Sequence, residues 1–256
     1  ARPSATRPVP HLVTEIPGPR ARRHVEFDRT WTSPSLPRAY PLVPVRGEGC
    51  MIEDIDGNRF LDFAAGIAVN STGHAHPRVL EAIRAQAGDL LHYSASDFYL
   101  PIYAQLCAEL ARIAPMHGPT RVYLGNSGTE VVEAAIKLAR FATRRPYLVS
   151  FQGGFHGRTY GSISLTASKS KYRAGFGPLL PGVFHAPYGR ADDLRWFSEV
   201  LFDRLAPANE VAAVIVEPIQ GEGGYIVPED SFLQGLRRIC DEHGILLIAD
   251  EVQSGA

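Results

Sequence analysis

The sequence predicts an α/β fold with a mostly parallel central sheet and flanking helices. Three observations carry this. Short, continuously apolar runs ("YLVSF", "VAAVIV", "ILLIA") read as buried strands. They alternate with stretches of helical period ("TEVVEAAIKLARFA", "SFLQGLRRICDEH"), the signature of β-α-β units. Each strand is followed at once by glycine, charge or an aromatic residue, where ligands bind in such sheets, beyond the carboxyl ends of the strands.

The elements follow in order. Residues 1–40 are rich in proline and arginine and are read as an extended N-terminal arm; a transit peptide is the other reading of this acid-poor start, disfavoured by the lack of an amphipathic helical pattern. "CMIEDIDGNRFLDF" (Cys50 to Phe63) alternates about Asp56-Gly57, a signal for a hairpin with a two-residue turn. Helical periodicity starts after Pro77 ("PRVLEAIRAQAGDLLHY") and after Pro101 ("PIYAQLCAELARIA"), with proline suited to a first helical turn. From Arg121 the pattern changes to strand ("RVYLG"), helix ("TEVVEAAIKLARFA") and strand ("YLVSF"). The strand Val211 to Val216, the helix "SFLQGLRRICDEH" and the strand Ile245 to Ala249 complete the series, the last expected to be buried on both faces.

Composition narrows the function classes. The 256 residues have 45% hydrophobic content, enough for one large domain or a large and a small one. A formal net charge of −1 gives no bulk attraction to nucleic acid or to a membrane surface. Cys50, Cys107 and Cys240 are scattered and form no C-x-x-C pair, which argues against a disulfide framework or a zinc site and fits a reducing, cytoplasmic setting. No apolar run approaches the roughly 18 residues needed to span a bilayer. Lys137, Lys169 and Lys171 are the only lysines.

Four clusters carry the chemistry. "GNSGTE" (Gly125 to Glu130) lies between strand and helix, so that Gly128 and the first-turn N–H groups suit a phosphate; the same letters also spell an ordinary capping box, Ser127 with Glu130. No lysine is present to make it a Walker A loop, which disfavours an ATPase. "GGFHGRT" (Gly153 to Thr159) offers Phe155 for stacking and Arg158 for a carboxylate. The bland alternative folds Phe155 into the core and leaves Arg158 solvated. "EPIQGEGG" supplies Glu217 and Glu222, whose spacing alone says nothing of their separation in space. "ILLIADEVQ" sets Asp250 and Glu251 at a strand end, a costly place for an acid without a partner. His74 and His76 in "GHAHP" lack a third ligand of defensible spacing and read as structural.

Together, "GHAHP", "NSGTE", "GGFHGRT", "EPIQGEGG" and "ADEVQSG" resemble the class III (ω-amino-acid) aminotransferases, pyridoxal-phosphate enzymes of fold type I, in the branch with 4-aminobutyrate, ornithine and acetylornithine aminotransferases and some amino-acid racemases. The resemblance implies an arm over 1–40, the N-terminal part of a small domain over 41–75, and a large cofactor-binding domain over 76–256. It implies that Gly128 and Thr129 bind the phosphate of pyridoxal 5′-phosphate, that Phe155 stacks on its ring with His156 alongside, and that Asp250 pairs with the ring nitrogen. Gln253 would bond the phenolic oxygen and Arg158 would grip a substrate carboxylate. Glu222 would act as a gate paired with a downstream arginine, and Glu217 would sit near the reacting centre. The family's Schiff-base lysine belongs on a strand beyond "DEVQSG"; none of the three lysines matches it, and the protein is expected to continue past Ala256. The implied reaction moves an amino group from an ω-amino donor to 2-oxoglutarate in a homodimer, with a racemase of the same build, or a lysine-less binding protein, as the alternatives.

Overall fold

The computed structural model describes residues 9–255, so the first eight residues of the expected arm lie outside the described part. The chain divides into two compact units that meet between Leu100 and Pro101.

The first unit is built on a small antiparallel sheet of β1 (Pro44–Glu48), β2 (Met51–Asp54) and β3 (Arg59–Leu61), in that order. The β2–β3 hairpin is closed by a three-residue loop and not the expected two-residue one. Asp54 N–H donates to Asn58 O, Gly57 N–H donates back to Asp54 O, and Gly57 takes φ +92°, the glycine-bulge form of a hairpin turn. The arm is corrected as well: Pro19–Trp31 forms a helix, α1. Its signal is absent from the local pattern because its stabilisation comes from elsewhere. Only Ala21 is buried, and the N-terminal N–H groups of Arg20 and Ala21 donate to the Asp56 carboxylate at 2.8 Å, a cap supplied from the hairpin loop. A single left-handed turn, α2 (Ala65–Ala68), and a helix opened by proline, α3 (Pro77–Asp89), follow. His74 Nε2 meets Asp62 Oδ2 at 2.7 Å, in keeping with the structural reading of "GHAHP".

The second unit opens with α4 (Pro101–Ile113). Residues 121–125, expected as a strand, form none, because no neighbouring strand offers them a ladder among the described residues. Helix α5 (Gly128–Thr143) leads to β4 (Tyr147–Phe151), the short helix α6 (Tyr160–Leu165), β5 (Val183–Ala186), a π-helical stretch over Phe197–Leu205, β6 (Val211–Val216), α7 (Asp230–His243) and β7 (Leu246–Ala249). The four strands pair in parallel in the order β5-β4-β6-β7. Strand β5 escapes the sequence reading because four residues that include His185 carry too short an apolar signal.

Alternation along the strands sends side chains into two cores. Leu148, Ala213 and Ile215 pack with Val132, Ile136 and Ala139 of α5. Val149, Phe151, Val214 and Val216 pack with Phe197, Leu201, Phe232, Leu236 and Cys240 on the other face. Helices therefore cover both faces, as continuous apolar strands require. The last strand corrects the expectation of full burial: β7 pairs only with β6 among the described residues, and Leu246 and Ala249 are exposed. Arg145 ties the opposite, amino-terminal edge, one guanidinium nitrogen donating to the carbonyls of Val211, His243 and Gly244. All three cysteines are free, and burial pushes the Cys240 thiol up to about 11.

Candidate active site

The carboxyl ends of β4, β6 and β7 open onto a cavity of about 360 Å3. Its walls include Gly128, Thr129, Phe155, His156, Arg158, Glu217, Asp250 and Gln253, eight of the nine residues singled out from the sequence. Glu222 is the ninth, and it lies outside this wall.

The acid at the end of β7 has an internal partner. Asp250 N–H donates to Val216 O at 2.8 Å, extending the β6–β7 ladder by one bond and fixing the backbone. Its Oδ2 meets His156 Nδ1 at 2.7 Å, and both side chains are buried. His156 is held in turn, its N–H donating to Thr166 Oγ1 at 2.9 Å. The cost of a buried acid is thus offset by an imidazole from the β4 turn, a pairing across 94 residues that local sequence does not announce.

Glu217, the residue after β6, is also buried. It accepts Phe155 N–H at 2.8 Å and Gly221 N–H at 3.2 Å. Burial pushes its carboxyl above the ordinary range, the two N–H bonds opposing. Below it, Phe151, Tyr188 and Phe232 meet edge to face, and the Tyr188 hydroxyl donates to Glu217 O at 2.9 Å. Burial lifts that phenol to about 12, so it remains a neutral donor. Gln220, fully buried, donates to Gln152 O, and Gly153 N–H and Ala167 N–H pair with the Ala167 and Gly154 carbonyls, so the β4 turn is clamped on two sides.

The capping reading of "GNSGTE" is seen in the structure. Ser127 accepts Glu130 N–H, while Glu130 reaches back to Asn126 N–H at 2.6 Å. The cap leaves the N–H groups of Gly128 and Thr129, in the first turn of α5, without helical partners beside the cavity. The Thr129 hydroxyl is already engaged, 2.6 Å from Ser162 Oγ and 2.7 Å from Thr159 Oγ1. Glu133 completes this cluster: it accepts the Thr159 hydroxyl and the N–H groups of Gly161 and Ser162 at the start of α6. Gly157 (φ +127°) is obligatory there, because a Cβ would fall 2.6 Å from Ser162 Oγ and against the Thr129 hydroxyl.

At the cavity mouth Arg158 is exposed, with no carboxylate in salt-bridge range among the described residues, and its guanidinium lies 5.3 Å from the ring centre of Tyr172. Phe155 meets the same ring edge-on at 5.4 Å. The Tyr172 hydroxyl donates to Glu222 Oε1 at 2.8 Å, and Lys169 Nζ reaches that oxygen at 2.6 Å. Burial raises the Glu222 carboxyl, but Lys169, Ser168 and Tyr172 together outweigh it and hold the group below the ordinary range. Sequence reasoning missed Tyr172, Lys169, Thr166 and Glu133; none belongs to a strand-end cluster, and only the fold brings them in. None of the three lysines lines the cavity, and the described residues hold no group of histidines, cysteines and acids fit for a metal. No described helix is long and apolar enough to cross a membrane.

Comparison with known proteins gives the family and the fold. The model of the family "Aminotransferase class-III" matches residues 34–256. An alanine/serine racemase of Pyrococcus horikoshii is 37% identical, over 96% of this chain and 56% of its own length. An acetylornithine aminotransferase of Methanopyrus kandleri is 46% identical over 84% of this chain and 52% of its own. Among solved structures, the ornithine aminotransferase of Toxoplasma gondii superposes with TM-score 0.81 at 33% identity, covering 92% of this chain and 54% of that one. An amine transaminase from an uncultivated Pseudomonas species, in a PLP-bound form, gives 0.80 at 32%, covering 88% and 56%. The fold is therefore that of fold type I, and the chain spans about half the length of the relatives it matches.

Proposed function

Because the chain belongs to the class-III aminotransferase family, we propose that it binds pyridoxal 5′-phosphate in this cavity and serves the transfer of an amino group from a donor of the 4-aminobutyrate, ornithine or acetylornithine type to 2-oxoglutarate. The observation that carries this reading is the convergence of eight residues from four separate stretches of sequence on one cavity of about 360 Å3. The donor set fits the group: open N–H groups at a helix start for a phosphate, an aromatic wall, and a buried carboxylate.

Bound there, the cofactor would supply an electron sink for the pair left when a proton leaves the amino-bearing carbon. The chain's own residues do the rest. Gly128 and Thr129 would offer backbone N–H groups to the phosphate, and Phe155 would cover the ring. Asp250, kept in place by His156, would present its carboxylate to the ring nitrogen, and Gln253 would donate to the phenolic oxygen. Arg158 takes a substrate carboxylate through its two-pronged guanidinium. Glu217, whose proton affinity is raised by burial, lies near the reacting end. The amine that the family ties to its cofactor is assigned to a lysine outside residues 1–256.

The identity to an alanine/serine racemase over 96% of the chain favours a second reading, racemisation of an amino acid at the same site. The protein is further proposed to be a cytoplasmic homodimer. Large apolar side chains such as Phe63, Leu91 and Tyr99 stand exposed, as surfaces that await a partner do.

The test is the visible spectrum of the full-length protein with pyridoxal phosphate. A yellow band that bleaches with an amino donor and returns with 2-oxoglutarate supports transamination. Loss of optical rotation without an acceptor supports the second reading, and a protein that never takes up the cofactor refutes both.

A further inference from the structure

Tyr172 joins groups that sequence reasoning treated separately. It closes a single 3-10 turn, Ser170–Tyr172, in which its N–H donates to Lys169 O at 3.2 Å. Lys169 precedes this turn as its cap, in extended backbone (φ −149°, ψ 137°), and the turn brings Tyr172 back beside it. There both donate to one oxygen, Glu222 Oε1. The ring of Tyr172 meanwhile carries Arg158 at 5.3 Å, Lys171 at 5.2 Å and the edge of Phe155 at 5.4 Å. Cations over an aromatic face are attracted by its quadrupole, so the ring gives Arg158 a seat that does not consume its hydrogen-bond donors.

The arrangement solves an electrostatic problem. Arg158 and Glu222 share Tyr172, one at its ring and the other at its hydroxyl, so an anionic Glu222 left unpaired would compete with an incoming carboxylate for the guanidinium. Bound by Lys169 and Tyr172, the glutamate is compensated from the loop that follows α6. We propose that Lys169 and Tyr172 form a latch on Glu222, and that Tyr172 is the positioning residue that sets carboxylate specificity by seating Arg158 while keeping Glu222 away from it. The inference rests on the functional reading above and deepens it, since it gives Glu222 a partner within this chain besides the downstream arginine that the family resemblance implies. The substrate class it selects is one whose carboxylate is taken by Arg158 alone. Release of the latch is then the condition for Glu222 to move.

Lys169→Met removes the cation that this chain's own loop supplies to Glu222 and is expected to free the glutamate for Arg158. The test is calorimetric binding of glutarate to the full-length, cofactor-saturated protein, with the visible cofactor band recorded on each sample. Lys169→Met is expected to weaken glutarate binding about five- to tenfold, and the double variant Lys169→Met/Glu222→Gln to restore it to within about twofold, since an amide cannot compete as an anion. Tyr172→Phe keeps the seat for Arg158 and loses one bond to Glu222, so its loss should be smaller than that of Tyr172→Leu. A restored double variant would not follow from mere structural damage by Lys169→Met, and so supports the latch. If the band is normal and Lys169→Met binds as the wild type, or Glu222→Gln fails to rescue it, the latch is refuted while the functional reading stands. If the wild type shows no cofactor band, the functional reading fails, and the inference with it.

Discussion

Replacement of Asp250 by alanine should cost the fold more than any other truncation at the site. The structure allows the magnitude to be worked. The carboxylate and the His156 ring are both buried and 2.7 Å apart, while the other carboxylate oxygen has one bond, from Val252 N–H at 3.2 Å. Alanine removes a hydrogen bond to a charged group, about 1.5–3 kcal/mol, and strands a buried ring nitrogen for about 1–3 kcal/mol more. The sum, about 2.5–6 kcal/mol, brackets the about 3–5 kcal/mol for breaking a buried pair from one side, which is the range taken forward. At about 2–4 °C per kcal/mol for a chain of this size, the melting temperature should fall by roughly 6–20 °C. Asparagine keeps an acceptor for the imidazole and should fall by only a few degrees. The assay is thermal unfolding of the full-length protein for the wild type, Asp250→Ala, Asp250→Asn, His156→Ala and the double alanine variant. The double-mutant cycle should give a coupling above about 1 kcal/mol. A coupling near zero, or an alanine variant as stable as the asparagine one, would refute the claim that these two side chains support each other.

Two further outcomes are expected. Glu217 binds its proton more tightly in the folded protein than the ordinary value of 4.5, so the stability it contributes is present below that pH and is lost as pH rises through the folded value. Melting curves across this window should therefore show the wild type losing ground to Glu217→Gln as pH rises; parallel profiles would contradict the raised value. Gly157→Ala meets both a φ of +127° and the hydroxyls of Thr129 and Ser162, and should lose at least the 1–3 kcal/mol or so of a strained backbone position and weaken pyridoxal-phosphate uptake, measured by denaturation and by titration.

Much of this was legible in the sequence where physics is local. Strands β4 and β6 and helices α4 and α5 follow their apolar period almost to the residue, while α3 stops at Asp89, four residues before the end of its expected run; a run such as "VAAVIV" has no comfortable state other than a doubly covered strand. The rule that ligands sit beyond parallel strand ends then gathered the site from letters alone. What failed depended on distant groups. Helix α1 is stabilised by Asp56 from another element, and "RVYLG" carries strand letters but has no described ladder to join.

The sequence by itself determined the fold class and the order of the elements, which rest on periodicity and on glycine, proline and charge at element ends; of the eight residues that line the cavity, Thr129, His156 and Gln253 follow only from the family resemblance. Only the tertiary structure decided who partners whom. His156 on Asp250, Glu133 on the start of α6, and Lys169 with Tyr172 on Glu222 are bonds across 94, 28 and 53 residues. Such bonds are selected by the need to satisfy buried charge after the chain has folded, and no local pattern in the residues encodes that need.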